Sequence, residues 1–153
     1  MKVNRFPENP LITPSDVKPF HHDHEVIGVF NAGVAQYNGE ILLLLRVAER
    51  PISEDPDIVK TSVIDFSSGE GRLKIIELHK DDPRFDFSDP RVIFYNDPDR
   101  RVAYLTSLSY ICIARSKDGR NFTIDEKPFI YPETEREAWG VEDPRVTQID
   151  DTY

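Results

Sequence analysis

The stretch Val26-Ile27-Gly28-Val29-Phe30-Asn31-Ala32-Gly33-Val34-Ala35-Gln36-Tyr37, the pair Asn38-Gly39, and the return Glu40-Ile41-Leu42-Leu43-Leu44-Leu45-Arg46-Val47 decide the fold class. Asn-Gly supplies the positive φ angles of a tight hairpin turn, so it predicts two antiparallel strands. The return run is short and follows the turn directly, which favours a strand buried on both faces over a helix. Arg46 closes that apolar run, and a charge there must emerge at a sheet edge or meet an anion. Asn31 stands before the small pair Ala32-Gly33, which leaves room beside it.

Working outward, the same pattern repeats. Strands are predicted at 58–65, 72–78, 91–95, 101–106, 110–115, 121–124 and 146–149, with 127–131 short and extended, Asp150-Asp151 as a turn and Thr152-Tyr153 starting a return strand. The segments 50–57 and 81–90 read as loops, and Asn9-Pro10-Leu11-Ile12-Thr13-Pro14 as an extended lead-in that its prolines keep from being a helix. No segment sustains a helical period. Many short strands with turns between them mean an all-β protein: a sandwich, a barrel or a propeller.

Charge narrows the partners. The 153 residues hold 19 Lys and Arg against 28 Asp and Glu, a formal net charge of −9. That argues against nucleic acid or an anionic membrane as partner, while leaving room for a local basic pocket. The longest aliphatic run, Ile41 to Leu45, is far too short to span a bilayer, and no apolar signal region follows Met1-Lys2-Val3-Asn4-Arg5. The single cysteine, Cys112, lies in the apolar run Tyr110 to Ala114 and reads as a buried thiol suited to a cytoplasmic setting. His21-His22-Asp23-His24 invites a metal, but adjacent histidines on an extended chain point to opposite sides. The expectation there is a solvated loop and no metal.

Gly140-Val141-Glu142-Asp143-Pro144-Arg145-Val146 carries the densest chemistry. Proline pushes its predecessor towards an extended conformation, so Asp143 is expected to be held in one direction at the mouth of a strand. With Trp139 just upstream and Glu142 and Arg145 alongside, a sugar site fits these residues; a surface turn with solvated charges fits them too. The motif has an echo. Ser88-Asp89-Pro90-Arg91-Val92-Ile93 resembles Glu142-Asp143-Pro144-Arg145-Val146-Thr147, and the two prolines are 144 − 90 = 54 residues apart. Repeats of such length, each about four strands, mark propeller blades. Asp82-Pro83-Arg84 reads as coincidence, with no strand after it. Fewer than three such blades fit, so the chain is expected to be the N-terminal part of a longer protein.

Five motifs in order carry a family resemblance: Asn9 to Pro14, Phe30-Asn31-Ala32-Gly33-Val34, Leu42 to Val47, Ile113-Ala114-Arg115-Ser116-Lys117-Asp118-Gly119-Arg120-Asn121-Phe122, and Gly140 to Thr147. Together they resemble glycoside hydrolase family 130, the β-mannoside phosphorylases and their few hydrolytic relatives. The resemblance implies a five-bladed β-propeller with a central active site. Residues 1–153 would then be the first two to three blades of one catalytic domain. It implies Asp143 as general acid, rather than Asp89, which lacks the preceding Gly-Val-Glu, and Asn31 and Arg46 as mannose-binding residues. Ala32 stands where the family often has serine. The length of the segment from Arg50 to Leu108 looks more like members acting on β-1,2-linked mannosides.

The implied reaction is inverting phosphorolysis. Phosphate attacks C1 of the terminal mannose, Asp143 supplies the leaving group's proton, and α-mannose 1-phosphate forms. Phosphate is the co-substrate, no other cofactor is required, and most phosphate-binding residues would lie beyond Tyr153. A hydrolase of the family would instead need a second carboxylate to activate water. A non-catalytic glycan-binding propeller is the reading from another class. A homo-oligomer of the full-length protein stays open.

Overall fold

The computed structural model describes residues 5–150 and 152; the Met1–Arg5 reading, the Asp150-Asp151 turn and the Thr152-Tyr153 return strand therefore fall partly outside the described residues. Among the described residues nine strands follow in order: β1 His24–Tyr37, β2 Glu40–Pro51, β3 Ile58–Asp65, β4 Arg72–His79, β5 Phe85–Asp86, β6 Val92–Tyr95, β7 Val102–Leu105, β8 Leu108–Ser116 and β9 Thr123–Ile124. Short 3-10 turns at Pro14–Asp16 and Glu135–Glu137 are the only helical elements among the described residues, and neither was foreseen. The protein is all-β, and every strand pairing is antiparallel.

Three sheets form: a four-stranded one in the order β1-β2-β8-β9, the hairpin β3-β4, and a three-stranded sheet β5-β6-β7. The Asn38-Gly39 turn joins β1 to β2 with both residues at positive φ, as the type I′ signal requires. Strand β2 then pairs with β8, over fifty residues later, so β3 to β7 make an excursion between two neighbours of one sheet. The long segment noticed between Arg50 and Leu108 is this excursion.

Alternation along β2 and β8 separates two faces. Leu45, Val47, Tyr110, Cys112 and Ala114 bury one face against Val17, with Ile12 and Phe122 packed around them. Burial pushes the Cys112 thiol up to about 11, so it is an apolar filler and no nucleophile. A second core joins the excursion's two sheets through Leu78, Ile93 and Ala103. Arg46, Ala48, Ser109 and Ile111 belong to the other face of the first sheet, in the register Arg46–Ile111 and Ala48–Ser109.

Several expectations need correction. Residues 146–149 form no strand; Ile149 makes only an isolated bridge to Thr152. Residues 127–131, read as short and extended, meet β8 through the bridge Ile111–Ile130. Phe85–Asp86, expected as loop, is a strand, and it directly follows Asp82-Pro83-Arg84. The two copies of the 54-residue repeat are therefore not alike in structure: the first opens β6 inside the excursion, and the second opens no strand.

Candidate active site

The site is built from three pieces of backbone that meet on one face of the first sheet. The first is a bulge in β1. Phe30 pairs with Arg46 and Gly33 with Leu44, so Asn31 and Ala32 together oppose the single residue Leu45. Asn31 takes a φ of +53°, a left-handed conformation that asparagine tolerates better than most residues. Such a bulge re-aims a side chain out of the pleat. Here it lets the Asn31 amide donate to Asp143 Oδ1 at 2.8 Å.

The second piece is Arg46 on β2. It does not end the strand as its place in the apolar run suggested; β2 runs on to Pro51. Its charge has found its anions. Nη1 donates to Asp143 Oδ1 at 2.9 Å and Nη2 to Glu142 Oε1 at 2.5 Å, while Nε donates to Ser109 Oγ at 3.2 Å. The guanidinium lies 4.7 Å from the Phe30 ring centroid. Phe30 has room to lie there because its neighbour on that face is Gly28, where a Cβ would come within 2.3 Å of the ring.

The third piece is the loop from Gly140 to Val146. After the turn at Glu135–Glu137, Gly140 adopts a φ of +109° and lies flush on Ser109: a Cβ there would stand 2.6 Å from the Ser109 carbonyl oxygen. The Val141 amide donates to that same carbonyl at 2.9 Å. Further on, the Pro144 carbonyl and the Val146 side chain pack over Gly33, both 3.1 Å from where its Cβ would be. The space beside Ala32-Gly33 is thus filled by the acidic loop.

Asp143 does not sit in the extended conformation that a following proline favours. Its φ is +46°, and two long-range hydrogen bonds, from Asn31 and Arg46, hold it there. The Asn31 bond first, then the Arg46 bond and charge, with Arg145 adding at a distance, keep the carboxyl below the usual aspartate range. The carboxylate is ionised at neutral pH and half-exposed, so it faces solvent as an acceptor.

The other candidates divide. Glu142 joins the cluster through Arg46. Arg145 turns back on its own loop, donating to the Pro144 carbonyl at 3.0 Å. Trp139 is exposed and takes no part in the cluster's polar contacts. The look-alike motifs behave differently from Asp143. Asp89 accepts from the Arg91 backbone amide at 2.8 Å and pairs with that residue's guanidinium; Asp82 does the same with Arg84 at 3.0 Å. Both are local turns. Asp143 alone of the three reaches across the fold, to partners 97 and 112 residues away in sequence. Sequence reasoning missed Ser109 and Phe30, whose roles follow from strand register.

The histidine segment is not a solvated loop. His22 does point out, to Asp23. His21 turns inward to Glu49, which is fully buried, and its other nitrogen meets Tyr131 Oη at 2.9 Å. Glu49 also accepts from the Tyr110 hydroxyl and the Phe20 amide, each at 2.9 Å. His24 bridges the His22 carbonyl and Ser62 Oγ, both at 2.8 Å. Donor atoms of His21, His24 and Glu49 lie within 4.8 Å of one another, close enough for a metal ion. Each residue, however, is already engaged by protein groups, so the arrangement is a self-satisfied polar network.

Residues 100–153 match the family described as β-1,4-mannooligosaccharide phosphorylase, glycoside hydrolase family 130. Over all 153 residues it is 59% identical to the β-1,2-mannobiose phosphorylase of Listeria innocua, covering 42% of that protein. A solved structure of a β-1,2-mannobiose phosphorylase from Listeria innocua, in complex with β-1,2-mannobiose, superposes with a TM-score of 0.91 at 57% identity, over 99% of this chain and 42% of that one. A Thermoanaerobacter β-1,2-mannobiose phosphorylase is 45% identical over 56 residues, 37% of this chain and 18% of that protein. The chain therefore spans less than half the length of the curated relatives it matches.

Proposed function

We propose that this chain carries the general-acid side of an inverting phosphorylase that cleaves β-1,2-linked mannosides with inorganic phosphate. The observation that supports the reading most is the convergence of Asn31, Arg46 and Glu142 with Asp143 across three separate parts of the chain. In this proposal residues 1–153 are the first part of a single five-bladed propeller, supported by the 42% coverage of the relatives and by the four-stranded sheet, which has a blade's strand count. The proposed setting is the cytoplasm, to which the lone buried thiol of Cys112 is suited.

Phosphate oxygen forms a bond to C1 of the terminal mannose from the α face as the β-linked oxygen departs, giving α-mannose 1-phosphate. The departing oxygen takes a proton that comes from Asp143. Asp143 is ionised in the free site, so it must first gain that proton. A bound sugar hydroxyl that displaces Arg46, and an anionic phosphate brought close, both push its pKa upward. Asn31 and Arg46 then hold mannose hydroxyls, with Glu142 as acceptor and Arg145 and Trp139 at the rim. Phosphate is an anionic nucleophile and needs cationic donors rather than a basic carboxylate. No cofactor enters the proposed chemistry.

The test is turnover of β-1,2-mannobiose by the protein completed to the length of its relatives, with and without phosphate. Phosphate-dependent release of α-mannose 1-phosphate is expected. Turnover that ignores phosphate would make the protein a hydrolase, and binding without turnover a glycan-binding module.

A further inference from the structure

We infer that Ser109 is a positioning residue of this site: its backbone seats the acidic loop while its hydroxyl fixes Arg46, setting guanidinium and general acid in register. The inference rests on the phosphorylase reading above for its kinetic consequence, not for its geometry.

Four contacts surround the Arg46 guanidinium, and they fall into two classes. Glu142 and Asp143 hold its outer edge, and their side chains are 44% and 46% exposed. Incoming sugar hydroxyls can exchange with such contacts. Ser109 and Phe30 hold it from the sheet side, through Nε and through the ring face. Ser109 is 1% exposed, so no ligand competes for its hydroxyl. When sugar takes the outer edge, only the inner pair stops Arg46 from following.

The same residue fixes the acid. Gly140 and Ser109 form a parallel bridge, and Val141 donates to the Ser109 carbonyl. Asp143 is two residues further on. A closed path therefore runs from the Ser109 hydroxyl to Arg46, to Asp143, back along the loop to Val141, and into the Ser109 carbonyl. Strand β8 supplies both ends of it at one residue, so the acid and the cation cannot shift independently. Ala48, the β2 partner of Ser109, offers no side chain able to replace the hydroxyl.

Ser109→Ala removes the hydroxyl and leaves the carbonyl bond to Val141 in place. In the protein completed to the length of its relatives, kcat for phosphorolysis is expected to fall about 10- to 100-fold, the cost of a small misplacement of reacting groups. KM for phosphate and the melting temperature should change little. The charged groups facing Asp143 are Arg46, Glu142 and Arg145, and a looser Arg46 stabilises its carboxylate less. The Asp143 carboxyl, followed by carbon-13 NMR, should therefore titrate at higher pH in Ser109→Ala. Ser109→Thr, which keeps the oxygen, should restore both kcat and titration. An unchanged titration, or a kcat loss matched by a fall in melting temperature, overturns the inference. An inactive wild type with the titration shift present would sink the phosphorylase reading and keep the positioning role.

Discussion

Asp143 and its two echoes show what a residue's neighbours decide. All three aspartates precede Pro-Arg, yet Asp82 and Asp89 fold back on the arginine two residues on. Asp143 instead gives its carboxylate to Asn31 and Arg46. General-acid help is typically worth about 10²–10⁴-fold. With Asp143 as the proposed general acid, Asp143→Asn keeps shape and removes the proton, so in the protein completed to the length of its relatives turnover at saturating mannoside and phosphate should fall by about that factor with the fold intact. Asp89→Asn should cost less than about tenfold, since it weakens a local turn. The reverse ranking would place the acid elsewhere. Arg46→Lys keeps the charge and loses the fork that reaches Ser109, Asp143 and Glu142 together. It should lose activity with little loss in melting temperature; equal losses of both would make the arginine structural. The sequence exposed these residues because unusual types stood beside proline and in apolar runs. It could not expose Ser109 or Phe30. Serine and phenylalanine are ordinary in strands, and only pairing register brings them to Arg46.

At the scale of elements, legibility followed hydrophobic pattern. Strand β3 was read to the residue at Ile58–Asp65, because turn residues bound it on both sides. Strand β5 was missed, as its two residues carry no periodicity. The segment 146–149 has β-branched composition but finds no strand partner among the described residues beyond one bridge, and tertiary partners decide strands more than propensity does. The bulge at Asn31 is likewise invisible in sequence, since it exists only against Leu45 across the pair. Gly140 is the element-scale point of failure. Gly140→Ala would strain a φ of +109° and drive a methyl group into the Ser109 backbone, so the acidic loop must lift off β8. The expected result is a loss of activity comparable to that of Asp143→Asn, with far-UV circular dichroism unchanged, because no strand begins or ends in that loop. Activity within threefold of wild type would show that the loop is seated by other contacts.

At the scale of the whole molecule, the excursion of β3 to β7 leaves the first sheet to be closed by contacts distant in sequence, and the Glu49 network supplies them. Glu49 joins β2 to Phe20 and His21 of the N-terminal segment and to Tyr110 of β8; His21 adds Tyr131, and His24 adds Ser62 of β3. Sequence reading placed these histidines in solvent because nothing local marks Glu49 as buried. Burial alone would raise the Glu49 carboxyl, but the bonds from His21, Tyr110 and Phe20 outweigh it and hold it below the usual glutamate range. Burial, and then the same carboxylate, push Tyr131 up to about 12, so it stays a neutral hydroxyl. A carboxyl with a depressed folded pKa binds fewer protons folded than unfolded. Its contribution to stability is complete above the unfolded value of about 4.3 and is lost as pH falls from there through the folded value. Glu49→Gln keeps the volume and replaces a buried carboxylate that accepts bonds from His21, Tyr110 and Phe20, a change that costs about 1–3 kcal/mol at neutral pH. Melting temperature measured from pH 7 down to pH 3 should therefore start lower in Glu49→Gln and decline less steeply than wild type below about pH 5. Asp82, Asp89 and Asp118 also titrate in the acid range, but they lie in exposed turns and are shared by both proteins, so the difference between the two curves isolates Glu49. Parallel curves would mean that Glu49 does not hold the N-terminal segment through its charge.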